Sequence, residues 1–363
     1  MQYKYPVAKP ELPRNGEQYL LDAYRSGWLG KGPYIERLEV AFAKYIGTRY
    51  AVVVDHGFSA LRLVIKALRL DETSEILVPD FTMAASAWAA DCLGAKLIFI
   101  DCDETLNINV DLIEHAITSK TRAIMPVHIY GRMADMTKIM ELAYKYNLYV
   151  IEDACESVGA IQDGKKAGSF GIAGCFSLYS NKILTAGEGG IITTNDERLY
   201  EQLVHLRSMA FDKTHSFFHP KRAENCRITN LQAAVCLAQL EQIDEFLVKR
   251  KQIQAWYDKY LPAGLQLPRA EGSVLWMMDV VFADKKERDI VMQRCLDNGV
   301  ECRYFFKPMS WQPFYKGYSL HLLQQDGKMI HKAAQFADRG MYLPVYTGLT
   351  EENVKEICSY AKS

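Results

Sequence analysis

Between about residues 50 and 195, short apolar runs alternate with helical patterns, and this alternation restricts the fold more than any other feature of the chain. The runs are AVVV (51–54), ILV (76–78), LIFI (97–100), AIMPV (123–127), LYVIE (148–152), CFSL (175–178) and GIIT (190–193). Between the first two, Leu61, Val64, Ile65 and Leu68 recur at the spacing of one helix face. MTKIMELAYKYNL (136–148) is a second helical stretch. Strands that alternate with helices build βαβ units around a buried, mostly parallel sheet. Such sheets bind ligands just beyond the carboxyl ends of their strands, so chemistry is expected there.

Downstream the pattern changes. Residues 229–260 read as one long helical segment, ended by the Pro- and Gly-containing LPAGLQLP (261–268). Strand-like VLWMMDVVF (274–282), helix-like KERDIVMQRCLDNG (286–299) and strand-like VECRYFF (300–306) follow. With 363 residues, the chain is expected to hold a large α/β domain over 1–240 and a small α+β domain over 241–363, the latter beginning with the linking helix.

Composition removes several function classes. Forty-three Lys and Arg against 44 Asp and Glu leave a net charge of -1, with no basic excess for nucleic acid or an anionic membrane. The start MQYKYPVAKPELPRNG has no apolar signal region, and the most apolar stretch, 83–100, is interrupted by Asp91 and Lys96. Neither secretion nor a membrane span is expected. The nine cysteines show no CxxC spacing and are odd in number, which argues against a metal site or disulfide framework and for reduced thiols in the cytoplasm.

Two phosphate-binding look-alikes fail on their details. GAIQDGKK (159–166) has the G-x4-G-K frame, but Lys166 stands where Ser or Thr would hold magnesium, and Asp163-Gly164 reads as a hairpin turn. GKGPYI (30–35) lacks both a third glycine and a preceding strand.

The informative segment is 148–190. Asp153 ends a strand, which puts its carboxylate at the ligand edge of the sheet, and Lys182 follows CFSL and precedes a glycine-rich turn. A lysine amine forms a Schiff base with an aldehyde cofactor, and a carboxylate keeps a pyridine nitrogen protonated as an electron sink. Asp55-His56-Gly57-Phe58-Ser59 leads from a strand into a helix start whose N–H groups suit a phosphate, and Ser177 adds a hydroxyl.

With these residues in place, IEDACESVGA, FSLYSNKILTAGEGG and NCRITNLQAAVCLAQLEQID resemble, in order and spacing, three signatures of the DegT/DnrJ/EryC1/StrS family of sugar aminotransferases. SGWLGKGPYIERLEVAFAKYIG, PVHIYGRMADM and RYFFKP extend the likeness over nearly the whole chain. The N-K-x-x-T-x-G-E-G-G form is most similar to the GDP-perosamine synthase branch. The resemblance implies the type I, aspartate-aminotransferase-like fold of pyridoxal 5'-phosphate (PLP) enzymes and a homodimer with shared active sites. It also implies L-glutamate as amino donor and a nucleotide-linked 4-keto-6-deoxyhexose, aminated at C4, as acceptor. Lys182 matches the Schiff-base lysine, Asp153 the pyridine partner, and Glu156 the residue near the ring hydroxyl. Ser177 and the amides around Gly57 and Phe58 match the phosphate site, and Asn225 matches the asparagine that reaches it from the neighbouring subunit.

Three positions depart from the family pattern. Phe58 replaces a hydroxyl residue, which leaves Ser59 to supply one; Met83 replaces the ring-stacking aromatic; and Lys307-Pro308-Met309-Ser310 replaces Y-P-x-H. For the nucleotide sugar, Trp28, Arg303 and the pair Phe305-Phe306 offer stacking and a bidentate phosphate contact. The alternatives are a UDP- or dTDP-linked acceptor, a non-catalytic PLP-binding regulator, and the dehydratase branch, whose histidine in place of the lysine is at odds with Lys182.

Overall fold

The computed structural model describes residues 3–211 and 217–362. All seven apolar runs form strands of one eight-stranded sheet, in the order Tyr50–Val54, Gly190–Thr194, Ala173–Ser177, Tyr149–Asp153, Thr121–Ile124, Glu75–Pro79, Lys96–Ile100 and Ser319–His321. Gly190–Thr194 runs antiparallel to both neighbours, and the remaining pairings are parallel. The parallel strands are almost continuously buried because helices cover both faces of the sheet.

The helix Gly57–Ala67 turns Leu61, Val64 and Ile65 into the core, as their spacing predicts. The helix Met136–Tyr146 starts at Asp135, whose side chain accepts from Lys138 N, and ends at Asn147 in the left-handed conformation. Residues 159–166 are no phosphate loop: Ile161–Gln162 pairs antiparallel with Lys165–Lys166 across Asp163 (φ 51°) and Gly164 (φ 75°), the backbone of a two-residue hairpin turn.

Three expectations for the C-terminal half are corrected. The segment 229–260 is two helices, Asn230–Leu240 and Ile243–Tyr260, separated at Gln242, whose backbone leaves the helical region. The Gln242 side chain there accepts from Arg14 N, and Gln239 donates to the Glu11 carbonyl, so the N-terminal segment docks where the helix breaks. The two strand-like stretches narrow to Met278–Val281 and Arg303–Tyr304, which flank Gly340–Leu343 in a three-stranded antiparallel sheet. The large sheet also takes its edge strand from 319–321, beyond the 1–240 range expected to hold it, and Tyr5 bridges to Val300 and packs in the C-terminal core. A buried ion pair, Arg132 to Asp279 at 2.5 Å, further joins the two halves.

Candidate active site

The parallel strands end on one side of the sheet, and a cavity of about 420 Å³ opens there. Asp153 ends its strand facing this cavity. Its neighbour Glu152 points to the opposite face, as strand alternation requires, and is fully buried. Glu152 accepts from the backbone N–H groups of Gly168, Phe170 and Gly171 at 2.7–2.8 Å. His128 Nε2 donates to it at 3.2 Å, a tautomer assigned because Ala134 N donates to His128 Nδ1. Several bonds thus pin the strand end that carries Asp153. The Asp153 carboxylate itself accepts from Ser86 Oγ at 2.7 Å and from Cys155 N at 3.1 Å.

Across the cavity lies Lys182, whose Nζ stands 3.7 Å from Glu156 Oε1 and 4.1 Å from the centroid of the Trp276 ring. Glu156 also accepts from Tyr130 N at 2.9 Å. Burial, opposed by the nearby Lys182 charge, pushes the Glu156 carboxyl up to about 7. Burial and then Glu156 push the Tyr342 phenol up to about 12, which leaves it a neutral donor on the cavity wall.

The helix beginning at Gly57 has no side-chain cap, because His56 at the N-cap position makes no such bond. Its first N–H groups are therefore free of a capping side chain beside the cavity. Gly57 lies so close to Ser177 that a Cβ would come within 2.8 Å of the serine Cβ, and a Cβ on Gly190 would come within 2.4 Å of the His56 carbonyl oxygen. The two glycines let the helix start sit directly against the sheet, with Ser177 beside it. This concave set of donors fits a phosphate. The carboxylate and amine facing each other across the cavity fit a pyridine nitrogen and an aldehyde, so the residues present accommodate PLP.

The structure gathers Gly57, Phe58, Met83, Asp153, Glu156, Ser177 and Lys182 around this one cavity. It separates the other expected site residues from it. Ser59 is buried and does not line the cavity, so it does not replace the hydroxyl lost at Phe58; one residue along a helix turns a side chain by about 100°. Asn225 lines a second cleft of about 570 Å³ with Gly30, Lys31, Gly32, Arg207 and Arg227. Trp28 is 62% exposed outside the cavity, and Arg303 is exposed and ion-paired with Glu301. Phe305 belongs to the core, packed on Phe81 and Tyr130, whereas its neighbour Phe306 faces the cavity. Sequence reasoning missed Ser86, Trp276 and Tyr342. Ser86 carried a signal, lying on the helix after a strand end, but nothing local marked the other two. Among the described residues no group of three or more His, Cys, Asp or Glu side chains is placed to hold a metal, and no helix is long and apolar enough to cross a membrane.

A mostly parallel sheet that presents a lysine, a strand-end carboxylate and an uncapped helix start to one cavity defines a PLP-dependent transferase of the aspartate-aminotransferase-like fold. Residues 11–362 match the profile of the DegT/DnrJ/EryC1/StrS aminotransferase family, and the chain belongs to that family. It is 38% identical to a GDP-perosamine synthase of Caulobacter vibrioides, over 97% of this chain and 95% of that protein. It is 36% identical to a GDP-perosamine synthase of Escherichia coli O157:H7, over 97% and 96%. Its structure superposes on Spr1654 from Streptococcus pneumoniae in its PMP-form with a TM-score of 0.90 and 25% identity, covering 98% of this chain and 96% of that one.

Proposed function

We propose that this aminotransferase moves the amino group of L-glutamate to C4 of a GDP-linked 4-keto-6-deoxyhexose, the chemistry of GDP-perosamine synthesis. The observation that carries this reading is the near-full-length identity of 36–38% to two GDP-perosamine synthases. Lys182, present in the cavity where the dehydratase branch has histidine, supports amine transfer over deoxygenation.

Bound in this cavity, PLP supplies an electron-withdrawing ring and a carbon that exchanges nitrogen. The chain's own residues do the rest. Asp153 presents a carboxylate, held by Ser86 and Cys155 N, to a proton-bearing ring nitrogen. Lys182 Nζ carries protons to and from the reacting carbon, acting as base and then acid. Glu156, with Tyr130 N on one oxygen, offers the other beside the lysine. The first N–H groups of the Gly57 helix and Ser177 Oγ would hold the phosphate, and the exposed Met83 lines the cavity with a flexible thioether where a stacking ring is usual.

Matched GDP, UDP and dTDP 4-keto-6-deoxy sugars, each with glutamate as donor, test the substrate. The GDP sugar should give the highest kcat/KM, with nitrogen on C4 by mass spectrometry and NMR. A preference for UDP or dTDP would overturn the choice of base, amination at another carbon would overturn the C4 assignment, and no turnover with any sugar would leave the regulator reading standing.

The same reading includes a homodimer in which Asn225 completes the phosphate site of the neighbouring subunit. Its support is the position of Asn225 in a cleft apart from Lys182 within one chain. Mixing inactive Lys182→Ala and Asn225→Ala proteins should restore part of the activity, because one of the mixed sites then carries both native residues. Activity that stays at the level of the separate variants, or a fully active monomer in solution, would refute shared sites.

A further inference from the structure

Trp276 is only 3% exposed, on the segment leading into the strand Met278–Val281, and both of its functional faces are directed at one short stretch of chain. Its indole Nε1–H donates to the Asn181 carbonyl at 2.8 Å, and its ring lies 4.1 Å beneath Lys182 Nζ. The indole therefore holds the backbone just before the lysine and the amine at the end of the same lysine.

The tryptophan is itself held. Arg250, buried on the helix Ile243–Tyr260, donates through Nη1 to the carbonyls of Leu275 (3.0 Å) and Trp276 (3.2 Å). Tyr130, whose N–H serves Glu156, packs its ring 5.8 Å from the indole. A chain of direct contacts thus runs from a C-terminal helix through Arg250 and Trp276 to the amine of the large sheet's lysine.

We propose that Trp276 is the positioning residue for Lys182. The ring face attracts the ammonium and shelters it, and the N–H fixes the loop from which the side chain springs. A lysine has a flexible four-carbon stem, so without this support the amine samples positions away from the reacting carbon. A misplacement of about 1 Å costs on the order of 100-fold in rate. The inference rests on the aminotransferase reading for its catalytic consequence, but its structural half is testable without cofactor.

The first measurement uses cofactor-free protein. Reductive methylation with formaldehyde and cyanoborohydride, mapped by mass spectrometry, gives the labelling rate of Lys182 relative to the exposed Lys165. In Trp276→Leu this ratio should rise several-fold, and in Trp276→Phe, which keeps a ring but loses the N–H, it should rise less. The second measurement uses PLP-loaded protein. In Trp276→Leu kcat should fall by about 10- to 100-fold, with KM for donor and keto sugar little changed and Trp276→Phe intermediate. A wild-type labelling ratio in Trp276→Leu, or in Trp276→Phe should the leucine variant fail to fold, would overturn the proposal. So would a loss confined to KM for the sugar, which is the mark of a substrate wall. Should wild-type protein transfer no nitrogen, the aminotransferase reading fails while the labelling ratio still decides the role of Trp276.

Discussion

Lys182→Ala is expected to leave no measurable transamination, a loss of at least about 1,000-fold, because the variant lacks both the amine that bonds the cofactor aldehyde and the group that carries the proton. The fold should persist. Lys182 sits in a cavity wall rather than in a packed core, and its removal deletes a charge that opposes the upward shift of Glu156. Glu156 then takes up a proton more readily and stays neutral in its buried place, so no stranded carboxylate is created. Thermal unfolding should therefore remain cooperative and near the wild-type midpoint. Borohydride reduction of PLP-loaded wild-type protein, followed by peptide mapping, should place the pyridoxyl group on Lys182. An adduct on Lys165 or Lys166, in the hairpin that lies apart from the cavity, would remove Lys182 from the chemistry. Activity retained in the alanine variant would do the same.

Asp153→Asn is expected to lower kcat by about 100- to 1,000-fold, the cost of removing an oriented charge from a site where charge develops. Asparagine has nearly the same shape, and its oxygen still accepts from Ser86 Oγ or Cys155 N. What disappears is the negative charge that holds a proton on the facing nitrogen. The effect should fall on kcat, with KM for the donor little changed, because the substrate does not touch this carboxylate. The neighbouring Glu152 provides the control. It is fully buried and accepts from Gly168, Phe170, Gly171 and His128, so Glu152→Gln should lower thermal stability before it lowers kcat at moderate temperature. Steady-state kinetics alongside thermal unfolding separates the two carboxylates. A loss below about tenfold in Asp153→Asn would mean that the strand-end charge is not used in catalysis.

Much of the molecule could be read from contiguous residues. The seven apolar runs became strands because a sheet covered on both faces needs uninterrupted apolar segments, and such segments are visible one at a time. Asp163-Gly164 announced its hairpin because two consecutive residues with positive φ are a local requirement. The place of Asp153 was legible for a similar reason: the end of a parallel strand is a fixed place in such a sheet, and Asp153 occupies it.

The parts that were misread depend on partners far away in sequence. The break at Gln242 interrupts good helix-forming sequence, because the N-terminal segment claims the side chains of Gln239 and Gln242. Parity decided between Phe305 and Phe306: adjacent residues leave an extended chain on opposite sides, and the strand Arg303–Tyr304 is too short for its sequence pattern to show which side is inward. Ser59 looked like a replacement donor only while the 100° turn per helical residue was left out.

By itself, then, the sequence determined the mostly parallel sheet and the strand end at which Asp153 stands, with Lys182 shortly after a neighbouring strand, since each follows from short-range periodicity or from position along a strand. Only the tertiary structure decided that Ser86 braces Asp153, that Trp276 underlies Lys182, and that Asn225 lies in a cleft apart from both. Each of these depends on where two segments distant in sequence come to rest, and that is set by the packing of the whole sheet with its helices rather than by any local pattern.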